Sequence, residues 1–372
     1  MKIGVPRETA EGENRVALVP ESVKSLLKRE GVAIVVESGA GDAAGHPDAQ
    51  YEEAGASVGS HADVLAADLL LHVAPLSAAE IGELKKGQYL ISHLSPLTDA
   101  ESNKALASAG TTALAMELIP RTTRAQAMDA LSSQATAAGY AATLRAAQES
   151  GRFWGMLTTA AGTIRPVRVL VLGAGVAGLQ AVATAKRLGA IVTGFDIRRA
   201  AWEQIASLGG RPLELDFIPD AEDEGGYARP LTDEENQQVR DAIDQNAARQ
   251  DVIITTAAIP GRAAPTLITA AGVANMGPGS VILDLAAETG GNCELTEPGQ
   301  TVVKDGVKIV GPKNLASELP GHASQLYAKN LENLLGLMIT GEGNLTLDFE
   351  DDIIDAATIT HDGEIRGERT AR

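Results

Sequence analysis

From Met1 to about Ala115, short apolar runs (KIGV, AIVVE, DLLLHV, YLISHL and TTALAM) alternate with stretches of helical spacing such as PESVKSLLKRE and TDAESNKALASAG. Each run suits a buried strand and each spacer a crossover helix, which predicts βαβ units on a parallel sheet. Residues 123 to 150 lack strand character and read as a helix joining two lobes. From Val167 a second alternation runs through VRVLVLG, AIVTGFD, DVIITTA, SVILDLA and VKIVG, predicting a second doubly wound sheet. After Pro312, SELPGHASQLYAKNLENLLGLMI places Leu326, Asn330, Leu331 and Leu334 at helical spacing. This helix is expected to return to the first lobe. The tail DDIIDAATITHDGEIRGERTAR reads as short, charged and partly loose.

Two such lobes agree with length, because 372 residues exceed what one hydrophobic core usually serves. The expected domains are 1–125 plus 315–372, and 135–312. Charge narrows the partners: 49 acidic against 31 basic residues give a net −18, so no basic face is available for nucleic acid. Lysine is scarce beside arginine, 11 against 20. That balance fits a salt-adapted surface and an ordinary acidic protein equally. The single Cys293 excludes an internal disulfide and a cysteine metal cluster. Histidines at 46, 61, 72, 93, 322 and 361 contain no H-x-x-x-H pair, and no metal is expected. The N-terminal MKIGVPRE carries no leader pattern. The best apolar run, residues 64–76, is too short to span a membrane and holds Asp68.

The chemistry concentrates in VLVLGAGVAGLQAVATAKRLGAIVTGFDIRR, residues 169–199. Gly173, Gly175 and Gly178 satisfy G-x-G-x-x-G directly after a predicted strand, and Val176 opens a predicted helix. The first glycine permits the tight turn, the second admits a pyrophosphate, and the third lets helix pack on strand. Phosphate then meets the unpaired N–H groups at the helix start. Asp196 follows Gly178 by 18 residues, at the end of the next strand, where a carboxylate accepts from ribose hydroxyls and repels a 2′-phosphate. That selects NAD over NADP; Arg198 is the competing hint. The expected fold class is therefore α/β, two doubly wound parallel-sheet (Rossmann-like) domains joined by long helices, with a cleft between them.

Other motifs are less decisive. Gly39, Gly41 and Gly45 cluster without a following GK[ST], which reads as turns. PRTTRAQAMDALSSQATAAGY gathers Arg121, Arg124, Gln126, Asp129, Ser132 and Ser133, either a nicotinamide-holding group in the cleft or the polar face of an exposed helix. His93 is the one tempting acid or base, against a structural histidine. The acidic stretch 216–238 is long enough for a lid or a solvated loop. No G-x-S-x-G elbow supports a hydrolase.

Several long motifs carry a resemblance: MKIGVPRE…ENRVALVPE, AMELIPR…RAQAMDALSSQ…AGY, AAGT, VLGAGVAGLQA…AKRLGA, TTAAIPG, PGSVILDLAAETGGN and LYAKNL. Together they resemble the NAD(H)-binding α1 subunit of proton-translocating NAD(P) transhydrogenases, over nearly the whole chain. Alanine dehydrogenases share the two-lobe fold and some of these motifs. The resemblance implies that Arg121, Gln126, Asp129 and Ser132 line the nicotinamide site. It also implies a cofactor-binding set of Gly173, Gly175, Val176, Gly178, Asp196, Ile197, Arg198, Gly226, Tyr227 and Ala257, with Tyr227 on a loop that closes over nucleotide. NAD(H) would bind this chain and NADP(H) a partner subunit. A membrane-spanning subunit would couple hydride transfer to proton movement, with this chain a homodimer attached to the cytoplasmic face through its partners. The chain resembles the separate-subunit form and should catalyse little alone. Against the alanine dehydrogenase pattern Arg15 and His93 match, but its lysine falls on Ala74 and its aspartate on Glu288. An NAD-sensing protein without catalysis is the third reading.

Overall fold

The computed structural model describes residues 1–215, 231–259, 261–367 and 370–371. Along the chain the strands are β1 Lys2–Val5, β2 Ala33–Glu37, β3 Ser57–Gly59, β4 Leu69–Leu71, β5 Tyr89–Ser92 and β6 Thr112–Ala115. There follow β7 Leu157–Thr159, β8 Gly162–Ile164, β9 Arg168–Leu172, β10 Ile191–Phe195, β11 Arg211–Pro212 and β12 Val252–Thr255. The last are β13 Val281–Asp284, β14 Thr301–Lys304, β15 Val307–Val310, β16 Thr358–His361 and β17 Glu364–Ile365. Contacts divide the chain into two compact units, Met1–Gln134 with Ala316–Arg372, and Ala135–Leu315.

In the first unit the sheet order is β17-β16-β6-β5-β4-β1-β2-β3, and the six strands from β6 to β3 are mutually parallel. The order reverses between β1 and β4, the doubly wound arrangement. Because helices cover both faces, the central strands read as continuous apolar runs, and Leu69, Leu70 and Leu71 are all buried. Helix Pro320–Met338 closes one face, burying Tyr327, Leu331, Leu334, Leu335 and Met338 in the core shared with Ile3, Val5 and Leu71.

The tail is not loose. Helix Asp352–Ala357 buries Ile353, Ile354 and Ala357, then β16 pairs antiparallel with β6 and buries Ile359. Four apolar side chains interleaved with acids suffice to dock a segment whose composition is mostly polar. Further on, the Ala371 N–H donates to the Pro96 carbonyl at 2.8 Å.

In the second unit the order is β11-β10-β9-β12-β13-β15-β14, parallel except for β14. Its switch point lies between β9 and β12, and its core gathers Leu170, Leu172, Ile243, Ile253, Ile282 and Ile309. A separate hairpin joins β7 to β8, and all six of its paired residues are exposed. Helix Ala130–Ser150 starts later than periodicity alone predicts, after a 3₁₀ turn at Gln126–Met128. Asp129 explains the boundary: at ψ 88° it leaves the helical range, and its carboxylate accepts the Ser132 N–H at 2.9 Å and the Ser132 hydroxyl at 2.6 Å. An N-cap of this kind is worth about 1 kcal/mol.

Candidate functional site

In open α/β sheets ligands settle beyond the carboxyl ends of the strands where the order reverses. In the second unit that place is where β9 runs into Gly173 and β12 into Thr256. Gly173 sits at φ +90°, and a Cβ there would lie 2.8 Å from Thr256 Oγ1 and 3.0 Å from the Ala257 nitrogen. Helix Val176–Arg187 begins at Gly175 with no side chain capping it. A Cβ on Gly175 would meet nothing within 4 Å, so the backbone at the helix start faces open space. On Gly178 it would lie 1.9 Å from the Gly173 carbonyl oxygen. The three glycines thus divide the work as their spacing predicts: a turn no side chain allows, an open cradle, and a close helix-to-turn contact. A dinucleotide fits this cradle, because only the middle glycine faces open space.

Asp196 stands just past β10, only 7 % exposed. Its carboxylate accepts the Ala174 N–H at 2.8 Å and the Arg198 N–H at 2.9 Å. The Arg198 guanidinium donates to both oxygens at 2.9 Å and reaches the Ala174 carbonyl at 3.4 Å. Arg198 is thereby engaged with the acid rather than turned to a 2′-phosphate. Ile197 packs on the apolar core beside it. Val176 is exposed on the first helical turn. Gly226 and Tyr227 lie outside the described residues.

A second network at this edge escaped the sequence reading. Asp284, at the end of β13, is 0 % exposed. It accepts the Thr255 hydroxyl at 2.7 Å, the Ala286 N–H at 3.0 Å, the Asn292 N–H at 2.7 Å, the Cys293 N–H at 3.0 Å and the Thr296 hydroxyl at 2.7 Å. Asn292 then grips the neighbouring loop, accepting the Ala257 N–H at 3.0 Å and donating to the Ala257 and Pro265 carbonyls, each at 2.8 Å. Ala257 is therefore placed by a carboxylate it does not touch. The one hint in the sequence is an acid at a strand end followed by Gly290-Gly291-Asn292.

In the first unit, Arg121 and Gln126 are exposed on the loop leading to helix Ala130–Ser150, and Asp129 and Ser132 pair with each other at its start. Arg124, grouped with these by sequence, instead forks onto Asp351 at 2.7 and 2.6 Å and also reaches Asp352. Ser133 donates to Asn330 at 2.6 Å.

The same unit buries a cluster of titratable groups. Arg15 forks onto Glu13 at 2.8 and 2.6 Å and donates to Gln134 at 2.8 Å. His93 stacks on Tyr327 at 5.2 Å between ring centres, with the Glu117 carboxylate 3.8 Å from its Nδ1. Burial pushes Glu117 up, but His93 and the Ser95 N–H outweigh it and hold the group below the usual carboxylate range. Burial also raises the Tyr327 hydroxyl, which donates to the His72 carbonyl at 2.8 Å. Where an amine would complete an amino-acid site stands Ala74, its N–H bonded to Glu8 at 3.2 Å. Glu288 accepts the Asn314 N–H at 3.1 Å. Among the described residues no helix is long and apolar enough to cross a membrane.

Comparison with known proteins places this geometry. The alanine dehydrogenase/PNT N-terminal domain family matches residues 4–138, and its C-terminal domain family matches residues 142–368. The first chain of the NAD(P) transhydrogenase alpha subunit of Rhodospirillum rubrum is 46 % identical over 375 residues, covering 98 % of this chain and 97 % of that one. The crystal structure of transhydrogenase from Sinorhizobium meliloti superposes with a TM-score of 0.90 at 44 % identity, covering 98 % of this chain and 100 % of that one. An alanine dehydrogenase from Halomonas elongata is more distant, 30 % identical over 98 % of this chain and 94 % of its own. The chain belongs to the alanine dehydrogenase/PNT family of oxidoreductases, and within it to the NAD(P) transhydrogenase alpha-subunit group.

Proposed function

We propose that this chain is the NAD(H)-binding subunit of a proton-translocating transhydrogenase. The observation that carries the reading is the glycine turn at the switch point of the second sheet, open above Gly175 and closed at Gly173 and Gly178. In this reading the helix start at Val176 takes the pyrophosphate, Asp196 the adenosine ribose, and the Ala257 loop closes the pocket floor. Arg121, Gln126, Asp129 and Ser132 orient the nicotinamide. Bound NADH supplies a hydride for NADP⁺ held on a partner subunit.

Direct transfer between two rings leaves the chain no proton to deliver, so its residues act by position and by excluding water. That accounts for a site with exposed Arg121 and Gln126 but no poised acid or base among them. The amino-acid dehydrogenase reading needs four groups; Arg15 and His93 remain, but Ala74 and Glu288 replace the other two. Proton coupling, by a membrane-spanning partner on which this chain docks at the cytoplasmic face, belongs to the same proposal.

The test is hydride transfer from NADH to an NADP⁺ analogue. The isolated chain is expected to be nearly silent, and addition of an NADP-binding transhydrogenase subunit to raise the rate about a hundredfold or more. Silence in the mixture, with NADH bound and a partner of proven competence, would leave a nucleotide sensor. Oxidation of alanine by the chain alone would restore the dehydrogenase.

The β7–β8 hairpin supports a homodimer. A two-stranded hairpin is marginal in water by itself, and here Phe153 is 61 % and Met156 70 % exposed, with Leu157 and Ile164 exposed beside them. Apolar groups collected on such an arm mark a protein contact. The double variant Phe153→Asp, Met156→Asp is expected to sediment as a monomer while still binding NADH. A dimer that survives both charges rules this face out.

A further inference from the structure

The loop of residues 120–129 holds three of the groups assigned above to the nicotinamide, Arg121, Gln126 and Asp129, yet most of it faces solvent. Only Ala125 and Met128 are buried. From helix Pro320–Met338, Asn330 and Asn333 donate to the Ala127 carbonyl at 2.9 and 3.2 Å. These tethers hold the far end of the loop, beyond Gln126.

Arg124 supplies the other hold. Its two terminal nitrogens donate to the two oxygens of Asp351 at 2.7 and 2.6 Å, and one of them also meets Asp352. Planar, bidentate pairing fixes direction as well as distance, which a lysine does not do. Asp351 is itself fixed, because its Oδ1 accepts the Ile353 N–H at 2.9 Å and caps helix Asp352–Ala357. That helix is rooted in the core through Ile353, Ile354 and Ala357. Hydrogen bonding from Arg124 first, with burial opposing, brings the Asp351 carboxyl down to about 2, so the pair stays ionised across the working pH range.

We propose that Arg124 is a positioning residue for hydride transfer: its fork onto Asp351 and Asp352 holds the 120–129 loop in the shape that presents Arg121 and Gln126 to the nicotinamide. The assignment rests on the NAD(H) role proposed above. An exposed pair adds little to global stability. Its effect falls on the local opening of a loop with few other tethers.

Two readouts separate this from a merely structural role. In the isolated chain, amide exchange over residues 121–128 should quicken about five- to tenfold in Arg124→Gln, with the melting temperature nearly unchanged. In the mixture with the NADP-binding subunit, the maximal rate should fall about three- to tenfold while NADH affinity moves less than about twofold. Arg124→Lys should recover some of the loss. The pair Asp351→Asn, Asp352→Asn keeps a capping acceptor and should reproduce the Arg124→Gln phenotype, and adding Arg124→Gln to it should change nothing further. Unchanged exchange and rate in Arg124→Gln overturn the proposal. So does a slow Arg124→Gln beside a normal aspartate double variant, since Arg124 would then touch the ligand itself. If the wild-type mixture transfers no hydride, the transhydrogenase reading fails, and the exchange data still decide whether the fork orders the loop.

Discussion

Gly178→Val is expected to abolish NADH binding and to destabilise the second unit, whereas Gly175→Ala abolishes binding without touching stability. The difference follows from what a side chain meets. At Gly178 the new Cβ would lie 1.9 Å from the Gly173 carbonyl oxygen, 2.8 Å from its carbon and 2.9 Å from Thr256 Oγ1. Real Cβ atoms do not approach backbone so closely, so helix Val176–Arg187 must lift from β9, at a cost on the order of 3 kcal/mol or more. Lifting also displaces the N–H groups at the helix start, which are what an anion would bind. At Gly175 the methyl has open space around it. It strains nothing in the protein but fills the cradle, and affinity should fall by about tenfold or more. Thermal unfolding and NADH titration of the two variants make the comparison. Wild-type affinity in Gly175→Ala would place the pyrophosphate elsewhere.

Asp284→Ala should give the largest loss of stability of any single polar change at this edge. The carboxylate is wholly buried and accepts from five donors supplied by β12, the 286 turn and residues 292–296. Truncation leaves all five donors facing a void. Each unsatisfied buried donor costs about 1–3 kcal/mol, and partial relaxation reduces the sum, so a loss of about 3–5 kcal/mol is expected. Thr296→Val removes one donor together with its need for a partner, and should cost only about 1 kcal/mol. Denaturant titrations of the two proteins measure the gap. Near-equal losses would mean that Asp284 is not the organising group. NADH affinity should fall with Asp284→Ala as well, since Asn292 and through it Ala257 lose their anchor.

Much of the architecture was legible because it is written in local order. Strands β1, β2, β4, β5, β6, β9, β10, β12, β13 and β15 are apolar runs, as strands covered on both faces must be. The strands that periodicity did not show, β3, β7, β8, β11, β14, β16 and β17, are short and lie at sheet edges or in the hairpin. An edge strand needs one neighbour and little apolar area, so Arg211–Pro212 or Glu364–Ile365 leaves no pattern to read. The tail reads as loose for a related reason: its acids outnumber the few isoleucines that dock it.

The candidate site divides along the same line. The glycine turn is legible because every requirement in it is a backbone requirement within a few residues: a positive φ at Gly173, open space at Gly175, contact at Gly178. Sequence by itself therefore determined the α/β class, the doubly wound sheets and the place of the turn. Which polar side chains pair was decided only by tertiary structure. Arg124 and Asp351 are 227 residues apart in the chain, and Asn14 and Ser317 are 303 apart. An ion pair or a buried acceptor carries no periodicity, and its partner is whichever donor the packed core brings within about 3 Å.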